Sequence, residues 1–374
     1  MGTNSMWGQP PRLTTDASGN TVLVGAGQTY PLLSPATIAP NSGFTKATEP
    51  LFNNLQATQP TFDKIFWWSV VKVDGFLPNP LGKYYAYFST EHDTTVGGVG
   101  LAYSNSPLGP FTFYTGTFDG GSGANGSVFY DTRTTNVGPP PYSQTESPSV
   151  VMQADGTLRM FYQIIAATVN GTPAEGIQST LSATSADGIT WTIDNTFILD
   201  VAKSDRDAGN GGMTYFNPFV YKNNWYGYSL RGGGNYPHYV MHICNGELND
   251  WTTDPRALGY HQDTCALLDP ATPRNIIWPG CFVAEKNGSP YLFATISDFV
   301  SGGAVSSRIL AMVKLSADLR TPTGLPVQIW EATLSWETGD IMSFNPYIEG
   351  NTLYAYYISR KNGVDSVGVI VHEL

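Results

Sequence analysis

The feature that most constrains this chain is a unit of about 65 residues that recurs five times. Each copy opens on a short apolar strand, turns through Gly or Asn, continues in a strand rich in Tyr and Phe, and ends in one or two further strands. Blade A runs from Phe66 (FWWSVVKVDG) through Lys83 (KYYAYFST) to Val99 (VGLAYSNSPLGPFTFY). Blade B runs from Glu146 through Thr157 to Gln178, blade C from Phe216 through Trp225 to Tyr239, blade D from Trp278 through Pro290 to Arg308, and blade E from Phe344 through Asn351 to Val367. Pro148, Pro218, Cys281 and Pro346 serve as anchors, 70, 63 and 65 residues apart. Repeats of this kind build propellers, and a period above roughly 40 to 50 residues implies blades with long connections. The expectation is an all-β, five-bladed β-propeller over residues 61–374, with blades of about four antiparallel strands, closed so that few sheet edges are left open. Blade E shows three strands before Leu374, so its fourth is expected from the extended N-terminal segment, residues 1–60. Thr21–Val24 and the stretch around residues 40–60 are the candidates.

Composition agrees with this class. Among 374 residues there are 40 Gly, 26 Pro, 21 Tyr, 18 Phe and 9 Trp, which suits pleated strands punctuated by turns. Charged residues make up 13% and the formal net charge is −11. No basic face is visible, which argues against nucleic acid and against an anionic membrane as partners and leaves neutral glycans compatible. No apolar run reaches the roughly 20 residues a membrane helix needs. The start, Met1 to Trp7, lacks a basic stretch followed by an apolar core, so no signal peptide is read there. A virion-associated or secreted location is favoured over a cytoplasmic one. Cys244, Cys265 and Cys281 match no zinc spacing and are expected to be buried thiols.

Three stretches carry a family resemblance. Tyr84–Asp93 (YYAYFSTEHD), continuing through Gly98–Ser104 (GVGLAYS) and Ser106–Phe111 (SPLGPF), is similar to a blade of the family 43 glycoside hydrolases. Glu146-Ser147-Pro148-Ser149 resembles the entry to that family's acid-bearing blade, and Ala183–Trp191 (ATSADGITW) resembles the outer hairpin of many glycosidase propellers. The likeness touches four or five blades and is strong in two. It implies a carbohydrate substrate, an active site in the axial funnel and three carboxylates, namely a base, a general acid and a third that orients and tunes. A weaker likeness links Pro11–Leu32 to a short module of phage structural proteins, which makes the N-terminal segment a candidate for self-association or virion attachment.

Glycoside hydrolysis needs one carboxyl to protonate the leaving oxygen and another to activate water or attack the sugar. Glu146 is the first choice for the acid, because an apolar setting favours the protonated form. Asp63, ahead of blade A, is the candidate base, although no Pro follows it. The entries of the other blades are read as Asn217, Gly280 and Asn345, none acidic, so the third carboxylate must come from elsewhere. Asp205, Asp207, Glu337 and Asp340 are the substitutes, with Asp207 preferred. His92, Asp93 and Arg231 are candidates for holding sugar hydroxyls or a sugar carboxylate, together with Asn217 and Asn345. Trp68 and Trp278 are candidate stacking platforms, as are Trp67, Phe216 and Phe344, with packing between blades as the competing role. Gly120–Gly123 and Gly232–Gly234 lack the strand–helix setting of a phosphate loop. No cofactor is expected; a structural cation in the channel is compatible, but no ligand cluster demands one. The competing function is a glycan-binding propeller without catalysis, such as a phage virion component that recognises a cell-surface sugar.

Overall fold

In the computed structural model the chain is a five-bladed β-propeller. It describes residues 12–15, 21–25, 28–31, 44–54, 64–91, 96–116, 127–131, 143–165, 168–169, 172–173, 178–199, 213–231, 238–253, 274–299, 305–319, 323, 327–330, 332–338, 341 and 343–374. No helix occurs among them.

Each blade is an antiparallel meander read outward from the axis. Blade A comprises Phe66–Lys72, Tyr84–Ser89, Val99–Ser104 and Thr112–Phe113. Blade B comprises Ser143–Met152, Leu158–Ile165, Gln178–Ser185 and Thr192–Ile193, and blade C comprises Met213–Tyr221, Asn224–Arg231, His238–Cys244 and Trp251–Thr253. Arg274–Lys286, Ser289–Phe299, Val305–Lys314 and Val327–Gln328 form blade D. Blade E takes Ser343–Glu349, Thr352–Lys361 and Val364–Glu373 from the C-terminus. Its outer edge is supplied from the other end of the chain, by Phe44–Lys46 and Phe52–Asn53 on the last strand. Thr21–Gly25 takes no part in closure; it pairs with Arg12–Thr15 and Gln28–Pro31 in a separate three-stranded sheet.

The alternation of each strand sends side chains to both neighbouring blades, so the core lies between blades. Blades A and E meet through Phe52, Trp68, Phe88, Tyr356 and Ile358, blades A and B through Tyr85, Tyr87, Leu101, Tyr162 and Leu181, and the largest cluster runs from Phe219 through Phe293 to Tyr357. At the seam of blades D and E the backbones nearly touch. Gly280 has φ +119°, and a Cβ there would lie 1.6 Å from the carbonyl oxygen of Phe344. Only glycine fits at that point.

Ring closure is fixed by a buried carboxylate. Glu337 accepts from Lys46 Nζ (2.8 Å), from Tyr357 Oη (2.5 Å) and from the amides of Thr333 and Leu334. Burial alone would raise its pKa, but these four donors hold it below the usual glutamate value. Glu337 is thus committed to structure and cannot be the missing catalytic carboxylate.

Candidate active site on the propeller axis

The inner strands of blades A to C share one irregularity. Glu146 pairs with Gln163, and the ladder resumes at Ser149 with Phe161; Thr214 pairs with Leu230, and it resumes at Asn217 with Tyr228. Blade A shifts between Phe66 and Trp68. The residue after the first paired position takes a left-handed conformation in each: Trp67 at φ 59°, Ser147 at 56° and Tyr215 at 54°. Such bulges re-aim side chains, and a non-glycine residue there stores strain of roughly 1–3 kcal/mol.

This register corrects the sequence alignment of the blades. Phe66 and Thr214 are the counterparts of Glu146 in blades A and C, and in blade D Trp278 holds the last paired position before the ladder resumes at Phe282. Asn217 and Asn345 instead stand one level further along the axis, in line with Ser69 and Ser149. Their identities therefore say nothing about a carboxylate at the level of Glu146, and Gly280 is excluded from bearing one by the Phe344 backbone.

Glu146 itself is fully buried in the inner strand of blade B. Gln163 Nε2 donates to its Oε1, while Gln163 Oε1 accepts the amide of Tyr215 in blade C at 3.1 Å. The amide side chain thus fixes the carboxyl relative to two blades. On the other flank, the amide of Ser147 donates to Ser89 Oγ of blade A at 2.7 Å. The short strand Val96–Gly97 pairs in parallel with Ser143 and Gln144, just ahead of Glu146.

Trp67 occupies the middle of the ring. Its amide donates to Ser343 Oγ of blade E (3.1 Å), its Nε1 donates to Ser149 Oγ of blade B (3.1 Å), and its indole stacks on Tyr215 of blade C at 5.9 Å. Its backbone thus reaches blade E and its side chain blades B and C, and the side chain is wholly buried. Ser149, which accepts from its Nε1, lines a cavity of about 440 Å³ formed by the C-terminal halves of the inner strands.

Other buried carboxylates surround the Glu146 end. Asp131 accepts from Tyr162 Oη at 2.8 Å, and its amide donates to Thr145 Oγ1. Glu91 pairs with Lys64 at 3.0 Å. Asp365 accepts the amide of Ile65 and is held by Arg360. None of the three precedes an inner strand in the expected pattern, so the sequence does not single them out; the buried polar end of a second or third strand is the signal that marks Glu91 and Asp365.

Trp68 is buried among Phe52, Phe88 and Phe111, so it packs between blades and offers no face to a sugar; Phe216 and Phe344 are likewise core. Arg231 lies at the end of its strand, opposite Met213 and His238. Asp63, His92, Asp93, Asp205, Asp207, Asp340, Cys265 and both glycine runs lie outside the described residues. Cys281 is a buried thiol, whereas Cys244 is half-buried and donates to the Glu247 carbonyl, contrary to the expected full burial. His242, between Ser229 and Thr253, is pushed down by burial to about 3, so it stays neutral and structural. Among the described residues no three His, Cys, Asp or Glu side chains stand close enough to hold a metal ion.

No family model matches the chain, and no curated protein matches it. Solved structures do. A thermostable family-43 glycoside hydrolase matches with a TM-score of 0.53 and 13% identity, over 83% of this chain and 91% of that one. The catalytic domain of the Coprinopsis cinerea GH62 α-L-arabinofuranosidase matches at 0.52 and 15%, over 89% and 98%. An α-L-arabinofuranosidase from Podospora anserina, in complex with cellotriose, matches at 0.52 and 12%, over 89% and 97%. The shared feature is the five-bladed propeller. At such identities the likeness is one of fold.

Proposed function

We propose that this chain is a glycoside hydrolase that cleaves a polysaccharide or oligosaccharide at the Glu146 end of the axis, with Glu146 as general acid. The observation that carries the reading is the fixed, buried carboxyl of Glu146 beside a strained bulge on an inner strand. Functional groups concentrate where backbone strain is maintained by the surrounding fold. The matched glycosidases share this propeller, which adds weight to the carbohydrate reading.

Asp63 is the proposed base and Asp207 the proposed third carboxylate. In sequence, His92 and Asp93 lie four and three residues before Val96 of the strand that pairs ahead of Glu146, which supports a role in holding sugar hydroxyls. Arg231 and Trp278 are proposed as further sugar contacts. Asn217 and Asn345, beyond Trp67, are no longer part of this site.

The test is release of reducing sugar from a panel of plant and microbial polysaccharides by wild type and by Glu146→Gln. General acid catalysis contributes about 10²- to 10⁴-fold, so the variant should lose activity by that factor on substrates with poor leaving groups. Equal release by both proteins would remove Glu146 from the mechanism.

One observation favours a second reading. The counterparts of Glu146 in blades A, C and D are Phe66, Thr214 and Trp278, which leaves no second acid at that position of these inner strands. A propeller that binds cell-surface glycan without cleaving it, carried on a phage virion through residues 1–60, fits that arrangement. Glycan binding without any sugar release across the panel would select it.

A further inference from the structure

The cavity beyond Trp67 has no part in the proposed hydrolysis, and its walls have a chemistry of their own. Val70, Val150, Phe219, Phe282 and Pro346 are among the residues that line it. Its volume of about 440 Å³ falls within the range of small-molecule sites, roughly 300–1,000 Å³. At its inner end lies a polar level made by Ser69, Ser149, Asn217 and Asn345. Three of these are engaged within the protein. Ser69 Oγ accepts the Val150 amide (3.0 Å), Ser149 Oγ accepts Trp67 Nε1 (3.1 Å), and Asn217 Nδ2 donates to the Cys281 carbonyl (3.2 Å). Asn345 differs. It is 2% exposed, and its Oδ1 has no hydrogen-bond partner among the described residues. A buried acceptor left unmatched costs about 1–3 kcal/mol, a cost that a ligand donor would offset.

The mouth gives a second, independent indication. Among the described residues five large hydrophobic side chains are exposed, and three of them line this one cavity: Phe76 (54%), Val220 (49%) and Ile348 (41%). They come from blades A, C and E and converge on the same opening. The one charged lining group, Lys72, is paired with Glu349 at 2.7 Å.

We propose that this cavity is a second ligand site, opposite the catalytic end, for an uncharged and mainly apolar small molecule with one N–H or O–H donor at its leading end. The donor meets Asn345 Oδ1, and the apolar body lies against the valine and phenylalanine walls up to the Phe76–Val220–Ile348 rim. A sugar does not suit it: its several hydroxyls would face apolar walls and polar groups that are already engaged. A charged ligand would lose its hydration with no counter-charge inside.

Indole and 1-methylindole are suitable probes, since they share shape and differ in one donor. Binding is measured by ligand-observed saturation-transfer NMR on the whole chain, with xylose as a polyol comparison. Indole should bind, 1-methylindole should bind at least about fivefold more weakly for want of one neutral hydrogen bond, and xylose should not compete. Asn345→Leu should erase the difference between the two indoles. Val220→Lys, at an exposed position that the fold tolerates, should abolish binding of both. Glu146→Gln should change none of this, and Val220→Lys should leave sugar release at the wild-type rate, so the two ends fail or stand separately. No saturation transfer from indole at millimolar concentration, indole binding undiminished in Val220→Lys, or equal affinity for the two indoles in wild type would overturn the proposal.

Discussion

The two ends of the inner strands are built differently. At the Glu146 end, three blades carry a left-handed residue in a bulge, and the side chains there are carboxyls, amides and hydroxyls tied from blade to blade. At the cavity end the same strands run in regular register, Ser149 to Met152 opposite Phe161 to Leu158, with apolar residues facing an open space. Within the inner strands themselves, the left-handed non-glycine residues thus lie at one end of the axis. Regular pairing positions side chains by the two-residue alternation alone, whereas a bulge can turn one side chain out of that pattern and toward the axis. Trp67 is the result, and its indole links the Glu146 end to Ser149 at the head of the cavity.

The largest effect should come from the seam between blades D and E. Gly280→Ala places a methyl on the Phe344 carbonyl and requires an unfavourable φ. It should cost more than about 4 kcal/mol in denaturant unfolding or prevent folding outright. If unfolding shifts by less than half of that, the close approach of blades D and E is wrong.

Removing Trp67 should come next. Trp67→Ala creates a void beside Tyr215 and leaves Ser149 without its donor, at a cost of about 3–5 kcal/mol. In the same variant the affinity for indole should change, because Ser149 at the head of the cavity is released. Unchanged affinity together with unchanged stability would mean that Trp67 does not link the ends.

The ring closure offers a smaller effect with a distinct pH signature. Glu337→Gln strands Lys46 and should cost about 3 kcal/mol near neutrality. Because the folded pKa of Glu337 lies below its unfolded value, the stabilisation is complete above the ordinary glutamate pKa near 4.5. It is lost as pH falls through the lower folded value. Unfolding free energy of wild type should therefore drop more steeply than that of the variant below about pH 4.5. Parallel curves would show that the ion pair contributes nothing to closure.

The ring was legible in the sequence because five strand groups at a regular spacing leave few alternatives. The missing outer strand of blade E could be counted as well. The stretch around residues 40–60, one of its two candidate donors, supplies it. The choice against Thr21–Val24 could not be read, since Phe44-Thr45-Lys46 is only three residues inside a stretch rich in Pro, Ser, Thr and Gly. The alignment of blades failed for a physical reason. Proline serves equally well inside a bulge, as Pro148 does, or just beyond it, as Pro218 does, so anchoring on proline shifted blade C by two residues. Trp67 and Trp68 show the same limit at its sharpest. They are adjacent and chemically identical, yet the left-handed φ of the first sends it to the axis while the second packs between blades. Nothing in the residue types announces that choice. Glu146 was found because its strand entry is distinctive, and Glu91, Asp131 and Asp365 were missed because their burial comes from neighbouring blades.

The most direct test of the two-site account is a crystal structure of the Glu146→Gln protein soaked with an oligosaccharide of the polysaccharide that wild type cleaves or binds. The account predicts sugar on the Glu146 side of Trp67, with a glycosidic oxygen within hydrogen-bond distance of the side chain at position 146, and none in the cavity bounded by Ser69 and Asn345. Sugar in that cavity, with the Glu146 end untouched, would contradict it.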